Sequence, residues 1–173
     1  MKSKILILVL AICSLTSFSQ QQGTFKDPRD GKIYKTVIIG KQTWFSENLA
    51  YKAEKGCWAY DNNQNNVAKY GYLYDWNTAM RLCPTGWHLP SDAEWSTLWE
   101  NSSINAGFEP ILGGGYGAAI GFVYIEIIGY WWSSTENNIG EVSYWLRIKD
   151  YRSVDRRSGG KESGNSVRCI KDN

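Results

Sequence analysis

Residues 83–94, with the sequence CPTGWHLPSDAE, join two predicted helices and set the order of the fold. We expect the first helix to begin near Asp75 and to end before Pro84, because the residue before a proline is disfavoured in helical conformation. The face of this helix is predicted to carry Trp76, Met80 and Cys83.

The second helix is predicted over residues 91–101. Ser91 and Glu94 have the spacing of a capping box, in which each side chain bonds the exposed backbone amide of the other. The apolar residues that follow recur at helical spacing, at Trp95, Leu98 and Trp99. Between the two helices, residues 86–90 are predicted to form a short extended segment.

Strand-like segments flank the two helices. Ile33 to Ile39 and Gln42 to Phe45 predict a hairpin around Gly40-Lys41, and Cys57 to Tyr60 a short extended run. Later strands are predicted at about 120–125, 129–134, 142–148 and 165–171. Polar residues predict turns or loops at 20–32, 61–66, 113–117 and 156–160. The order indicates one α+β domain with antiparallel sheets, two short helices and long loops.

The composition excludes several classes of protein. Hydrophobic residues make up 43% of the 173 residues and charged residues 21%, which is typical of a globular chain and not of a disordered one. Nineteen basic residues face 17 acidic ones, so no excess of positive charge indicates a nucleic-acid partner. The unusual feature is aromatic content, with nine Trp, eleven Tyr and five Phe.

Residues 1–19 have the pattern of a secretory signal. Lys2 and Lys4 precede an apolar run that is too short to span a bilayer, and Ser17-Phe18-Ser19 places small residues at a cleavage site. The mature chain is then 20–173, secreted or held in the periplasm or at the cell surface, with no transmembrane segment. Lipidation at Cys13 is an alternative, but Ile12 is bulkier than the residue expected there.

Export implies an oxidising compartment for the remaining cysteines, Cys57, Cys83 and Cys169. An odd number predicts one disulfide and one free thiol, and the residues alone permit three pairings.

No constellation of residues predicts catalysis. His88 is the only histidine, and we expect it to be a packed, hydrogen-bonded residue, since it has no partner to complete a zinc site. Ser133 and Ser134 lack a paired base. The Asp61–Asn66 loop offers oxygen atoms but lacks the acidic pattern of a calcium loop. We therefore predict no enzyme activity, no metal and no cofactor; calcium is conceivable but not indicated.

Aromatic residues on the later strands are the candidate binding residues. Trp131 and Trp132 point to opposite faces of a strand, so we expect only one of the two rings to lie in the core. We expect Trp132 to be the ring at the surface. Flat rings beside polar side chains suit recognition of sugars or proteins. We expect loops 107–118 and 136–164 to contact the partner. The candidate ligand-binding residues are Tyr116, Trp132, Tyr144, Tyr151 and Arg152.

Several phrases occur together in the order of one known family. They are 31–37 (GKIYKTV), 42–49 (QTWFSENL), 70–76 (YGYLYDW), 83–91 (CPTGWHLPS), 129–134 (GYWWSS) and 166–169 (SVRC). The chain resembles the Fibrobacter succinogenes major paralogous domain, a family of exported bacterial proteins, over about residues 24–172.

The resemblance implies a C-type-lectin-like fold in which the termini lie together. It also implies a Cys83–Cys169 disulfide. Some relatives carry a further cysteine where this chain has Val67, which leaves Cys57 as the free thiol.

The resemblance implies no activity residue by residue. The sugar-binding triplets of calcium-dependent lectins are missing, and the cysteines do not form the reactive pair of formylglycine-generating enzymes. We expect a secreted, non-catalytic binding module of the bacterial envelope that recognises a glycan, a polysaccharide or a surface protein. The alternatives are a structural subunit cross-linked through Cys57 and a thiol- or metal-dependent enzyme of formylglycine-generating-like fold.

Overall fold

The computed structural model describes residues 22–101, 108–137, 139–149 and 154–172. The predicted signal at 1–19 and its cleavage site lie outside these residues. The strands are β1 Gln22–Lys26, β2 Ile33–Ile39, β3 Gln42–Phe45, β4 Cys57–Trp58, β5 Leu73–Tyr74, β6 Trp87–His88, β7 Gly115–Gly117, β8 Gly121–Val123, β9 Ile128–Glu136, β10 Val142–Ile148, β11 Val154–Gly159 and β12 Ile170–Lys171. The α-helices are α1 Val67–Tyr70, α2 Trp76–Ala79 and α3 Asp92–Asn101.

The largest described sheet has five strands in the order β1-β2-β3-β12-β6. The predicted hairpin is confirmed as β2 and β3, with Val37 opposite Trp44. Gly40 lies in its turn with φ of 59°, a left-handed conformation that glycine adopts without a steric penalty. Strand β12 pairs with both β3 and β6, so the end of the described chain is joined to its first hairpin.

A second sheet has the order β11-β10-β9, and all its strands are antiparallel. Two smaller sheets pair β4 with β5 and β7 with β8. Antiparallel sheets and a few short helices make this an α+β fold, as the sequence predicts.

The helices agree with the prediction in position but not in every detail. In α3 the capping box is present: Glu94 Oε2 accepts from the backbone N–H of Ser91 at 2.8 Å, and Ser91 Oγ accepts from the N–H of Glu94 at 3.3 Å. Asp75 caps α2 but this helix ends at Ala79, so the predicted shared face is wrong and Met80 is exposed. Helix α1 lies in a segment for which no helix was predicted.

Three segments predicted as turns or loops form strands instead. They are Gln22–Lys26, Gly115–Gly117 and Val154–Gly159. Each has residues of low strand propensity, but each pairs with a neighbour that completes its backbone hydrogen bonds. Conversely, the strand predicted at 165–171 is regular only at Ile170–Lys171, with Asn165 and Ser166 in isolated bridges.

Two apolar clusters form the core, and β9 lies between them. Trp132 belongs to the cluster around Tyr74, Trp76 and Trp87. Trp131 belongs to the cluster around Trp44 and Trp95. Both indoles are fully buried, so the prediction that Trp132 lies at the surface is wrong. Side chains of β9 do alternate, but apolar residues cover both faces of this part of the strand.

Cys83 and Cys169 form the disulfide that the resemblance implies, across 86 residues of sequence and with their Cα atoms 5.8 Å apart. The bond ties the segment after α2 to the residue before β12. Cys57 is free and half-buried in β4. Burial raises the pKa of the Cys57 thiol, although a backbone hydrogen bond and Lys52 oppose this, so the thiol is protonated at neutral pH.

Candidate functional site

Five half-exposed rings form a group that we call the aromatic surface: Trp58, Tyr116, Phe122, Tyr130 and Tyr144. Trp58 stacks on Tyr116 with ring centroids 4.7 Å apart, and Tyr116 contacts Phe122 at 5.0 Å. Tyr130 contacts Tyr144 at 6.0 Å across β9 and β10. The rings come from five strands of three different sheets, so only the fold brings them together.

Glycines bring the two ring pairs close to the backbone. A Cβ atom added to Gly164 would lie 3.2 Å from the Trp58 ring, and one added to Gly115 would lie 3.1 Å from the Tyr130 ring. The backbones of Tyr116 and Gly164 bond each other, which places Gly115 beside Gly164. Only the backbone of Gly115 and Gly164 therefore lies between the Trp58–Tyr116 pair and the Tyr130–Tyr144 pair.

The hydroxyl groups of Tyr116, Tyr130 and Tyr144 bond no other residue in the part of the chain that the structure describes. Burial raises the pKa of Tyr130, and the neighbouring Tyr144 and Tyr124 act in the same direction. The Tyr130 hydroxyl is therefore protonated at neutral pH and can both donate and accept a hydrogen bond.

The asparagine-rich loop at Asp61–Asn66 adjoins this surface through Tyr60, whose ring lies 5.3 Å from Phe122. Two short 3₁₀ turns form the loop, Tyr60–Asn62 and Gln64–Asn66. Asp61 and Asn62 have φ of 54° and 56°, a conformation that Asp and Asn tolerate better than other side chains. Most of its carboxamides are exposed, and they lie next to a half-buried ring of the aromatic surface.

The predicted site residues lie in different parts of the structure. Tyr116 and Tyr144 lie on the aromatic surface. Trp132 does not: its indole N–H donates to the carbonyl of Tyr74 at 2.6 Å, and its ring supports Tyr144 from below the surface. Tyr151 and Arg152 lie outside the described residues.

Sequence analysis missed three residues of the surface, Trp58, Phe122 and Tyr130. Tyr130 belongs to a phrase that carries the family resemblance and Trp58 to a predicted extended run, but a periodic pattern does not reveal which ring stays partly accessible. Phe122 had no signal beyond its place in the predicted strand at 120–125.

A buried hydrogen-bond network joins residues from four of the phrases that carry the family resemblance. Asn48, almost fully buried, accepts through Oδ1 from Trp131 Nε1 at 3.0 Å and from Arg168 Nε at 2.8 Å. Its amide donates to the carbonyl oxygens of Tyr70 at 2.8 Å and Ile111 at 3.2 Å. This arrangement satisfies buried groups and leaves none of them accessible to a substrate.

Arg168 is fully buried and has no carboxylate partner among the described residues. Its guanidinium donates to the carbonyls of Phe45 at 3.2 Å and Glu109 at 2.6 Å, and it lies 4.5 Å from the Phe108 ring centroid. Burial lowers the pKa of Arg168 to about 9, although Glu47 and Glu109 act in the opposite direction, so the group is charged at neutral pH. We assign it a structural role.

A groove of about 750 Å³ lies elsewhere, between β1, α1 and residues 109–111. Its charged lining residues are Lys35, Glu47, Lys69 and Glu109, of mixed sign. It has no aromatic wall, which small-molecule and sugar sites ordinarily have. The aromatic surface is therefore the better candidate site.

Among the described residues, no group of three His, Cys, Asp or Glu side chains is arranged to hold a metal ion. No helix within those residues is long and apolar enough to cross a membrane.

The family model of the Fibrobacter succinogenes major domain matches residues 37–106 and confirms the family that the sequence phrases resemble. The matched segment contains Asn48, Cys83 and the capping box; the phrases at 129–134 and 166–169 lie beyond it. No curated protein is significantly similar to the chain. No solved structure is significantly similar to it either.

Proposed function

Residues 37–106 match the model of the Fibrobacter succinogenes major domain, and from this premise we propose that the protein is a non-catalytic module that binds a glycan or polysaccharide through its aromatic surface. The observation that carries the proposal is the connected group of half-exposed rings, which includes the stacked Trp58–Tyr116 pair. Apolar faces of sugar rings pack on aromatic rings, while sugar hydroxyls need donors and acceptors nearby.

The polar groups beside the rings support this ligand class over a purely apolar one. Tyrosine hydroxyls without partners in the described structure and the exposed carboxamides at 61–66 offer both donors and acceptors. Arg157 and Asp155 lie opposite Tyr144 and Leu146 in β11 and provide one charge of each sign. The balance of charge favours a neutral ligand over a strongly anionic one.

A C-type-lectin-like fold and export by the 1–19 signal are parts of the same proposal. The fold assignment is supported by the strand–helix–strand order and by the disulfide that joins the segment after α2 to β12. Mass measurement of the protein recovered from the extracellular or envelope fraction checks export: a chain beginning at Gln20 is expected, and a retained residue 1 would contradict it.

Binding of residues 20–173 to a panel of neutral polysaccharides, with and without calcium, tests the function. We expect binding to one class, with Trp58→Ala, Tyr116→Ala and Tyr144→Ala each weakening it about tenfold, because each removes a stacking ring. Tyr51→Ala is the matched control: this half-exposed ring lies under Arg29 and contacts none of the five rings.

Two results would contradict the proposal in different ways. Unchanged binding by the three variants would show that the site is elsewhere on the molecule. Failure of the folded protein to bind any polysaccharide would exclude a glycan ligand and leave a surface protein or a structural assembly as the partner. Disulfide-linked dimers through Cys57 on a non-reducing gel would favour the assembly.

A further inference from the structure

His88 lies between two carboxylates that come from different parts of the fold. Its Nε2 atom is 2.9 Å from Glu94 Oε1, in the first turn of α3. Its Nδ1 atom is 2.6 Å from Asp172 Oδ1, in the residue that follows β12. Both ring nitrogens of the only histidine in the chain are thus within hydrogen-bond distance of an acid.

These two contacts together determine the protonation state. An ionised carboxylate can only accept hydrogen bonds, and a neutral imidazole has one N–H and one lone pair. Both contacts are favourable at once only when the imidazole is protonated. Burial lowers the pKa of His88, but the hydrogen bonds to Asp172 and Glu94 outweigh this effect and raise it above its ordinary value.

The carboxylates of Glu94 and Asp172 differ in their other hydrogen bonds and in their exposure. Glu94 Oε2 also accepts from the backbone N–H and from the hydroxyl of Ser91, each at 2.8 Å, and its side chain is 26% exposed. The Asp172 side chain is 53% exposed and has no other partner among the described residues. After loss of the proton, the remaining N–H can stay on the fixed Glu94, whereas Asp172 is free to turn into solvent.

We propose that His88 is a proton-operated clasp that fastens Asp172, and with it the end of β12, to the start of α3. When His88 is protonated, the imidazolium bonds both carboxylates. When it is neutral, its remaining N–H stays bonded to Glu94, and the hydrogen bond to Asp172 is lost. The facing charged groups are Glu94 from α3 and Asp172; Lys171 of β12 pairs with Trp87 and lies on the other face of the sheet. The Cys83–Cys169 disulfide confines the release to the residues after Cys169.

Nuclear magnetic resonance of the single histidine tests the clasp independently of any ligand binding. We expect His88 in the native protein to titrate above its ordinary value of about 6.5. Asp172→Asn should lower this pKa, because it removes one negative charge from the clasp. Asp155→Asn, which removes an exposed carboxylate on β11, is the matched control and should leave it unchanged.

Release of Asp172 is measured by exchange of its backbone N–H, which donates to the carbonyl of Gly86 at 2.9 Å. Corrected for the intrinsic rate, protection should fall in the native protein as His88 loses its proton. His88→Gln, which cannot be protonated, should show no such pH dependence. Protection that stays constant while His88 titrates would overturn the clasp, as would a native pKa at or below the ordinary value.

Discussion

Asn48 shows how one residue can join segments that are distant in the sequence. It bonds Tyr70, Ile111, Trp131 and Arg168, so the segment from Asn48 to its most distant partner covers about two thirds of the chain. Trp131 and Arg168, which donate to its carboxamide oxygen, are fully buried. Removing its carboxamide would leave two buried N–H groups without an acceptor, and an unsatisfied buried group costs about 1–3 kcal/mol.

We therefore expect Asn48→Ala to lower the free energy of unfolding by about 2–4 kcal/mol, measured by urea denaturation. Asn65→Ala, on the exposed loop, is the control and should change stability by less than about 0.5 kcal/mol. A loss of similar size in both variants would contradict the central role of Asn48.

At the scale of the element, α3 is defined by local contacts at its first turn. Ser91 Oγ accepts from the Glu94 N–H, and Glu94 Oε2 accepts from both the backbone N–H and the hydroxyl of Ser91. The same carboxylate receives His88. The start of this helix thus positions Trp95 and Leu98 in the second core cluster and also fixes one side of the clasp.

Ser91→Ala should lower the free energy of unfolding by about 1 kcal/mol, as expected for loss of an N-cap. Ser96→Ala, in the interior of the same helix, should leave stability unchanged or raise it slightly, because alanine has the higher helix propensity. Chemical denaturation of the two variants side by side measures the difference. Equal stability of both would show that the capping box does not stabilise α3.

For the whole molecule, the Cys83–Cys169 disulfide is the longest covalent constraint described. Closing a loop of this length in the unfolded chain contributes roughly 4 kcal/mol on the chain-entropy model. Reduction should therefore lower the free energy of unfolding by about this amount. The same loss is expected in Cys57→Ala, since that variant keeps the bond; no loss after verified reduction would contradict the prediction.

The aromatic surface also belongs to the scale of the whole molecule, because no element contains it. Trp58 is contributed by β4, Tyr116 and Phe122 by the β7–β8 hairpin, and Tyr130 and Tyr144 by β9 and β10. The backbone of Gly164 comes from the segment before β12. A binding site of this kind exists only when all these segments are in place.

Local features could be predicted from the sequence because their causes lie within a few residues. The β2–β3 hairpin and the capping box depend on turn chemistry and residue spacing. The predicted helix end just before Pro84 is wrong, because α2 already ends at Ala79. Strand β10 was predicted at 142–148 and is observed at Val142–Ile148. The family phrases likewise pointed to the family whose model matches residues 37–106, and the resemblance implied the disulfide.

Tertiary structure decided which rings are buried and which segments pair. Alternation along β9 correctly separates Trp131 from Trp132, but the burial of both follows from apolar clusters on each side of the strand. Arg156 and Arg157 lie in a strand because β10 supplies hydrogen bonds along its edge. Burial and pairing are properties of what a residue meets across the fold, and the residues on either side of it along the chain do not contain that information.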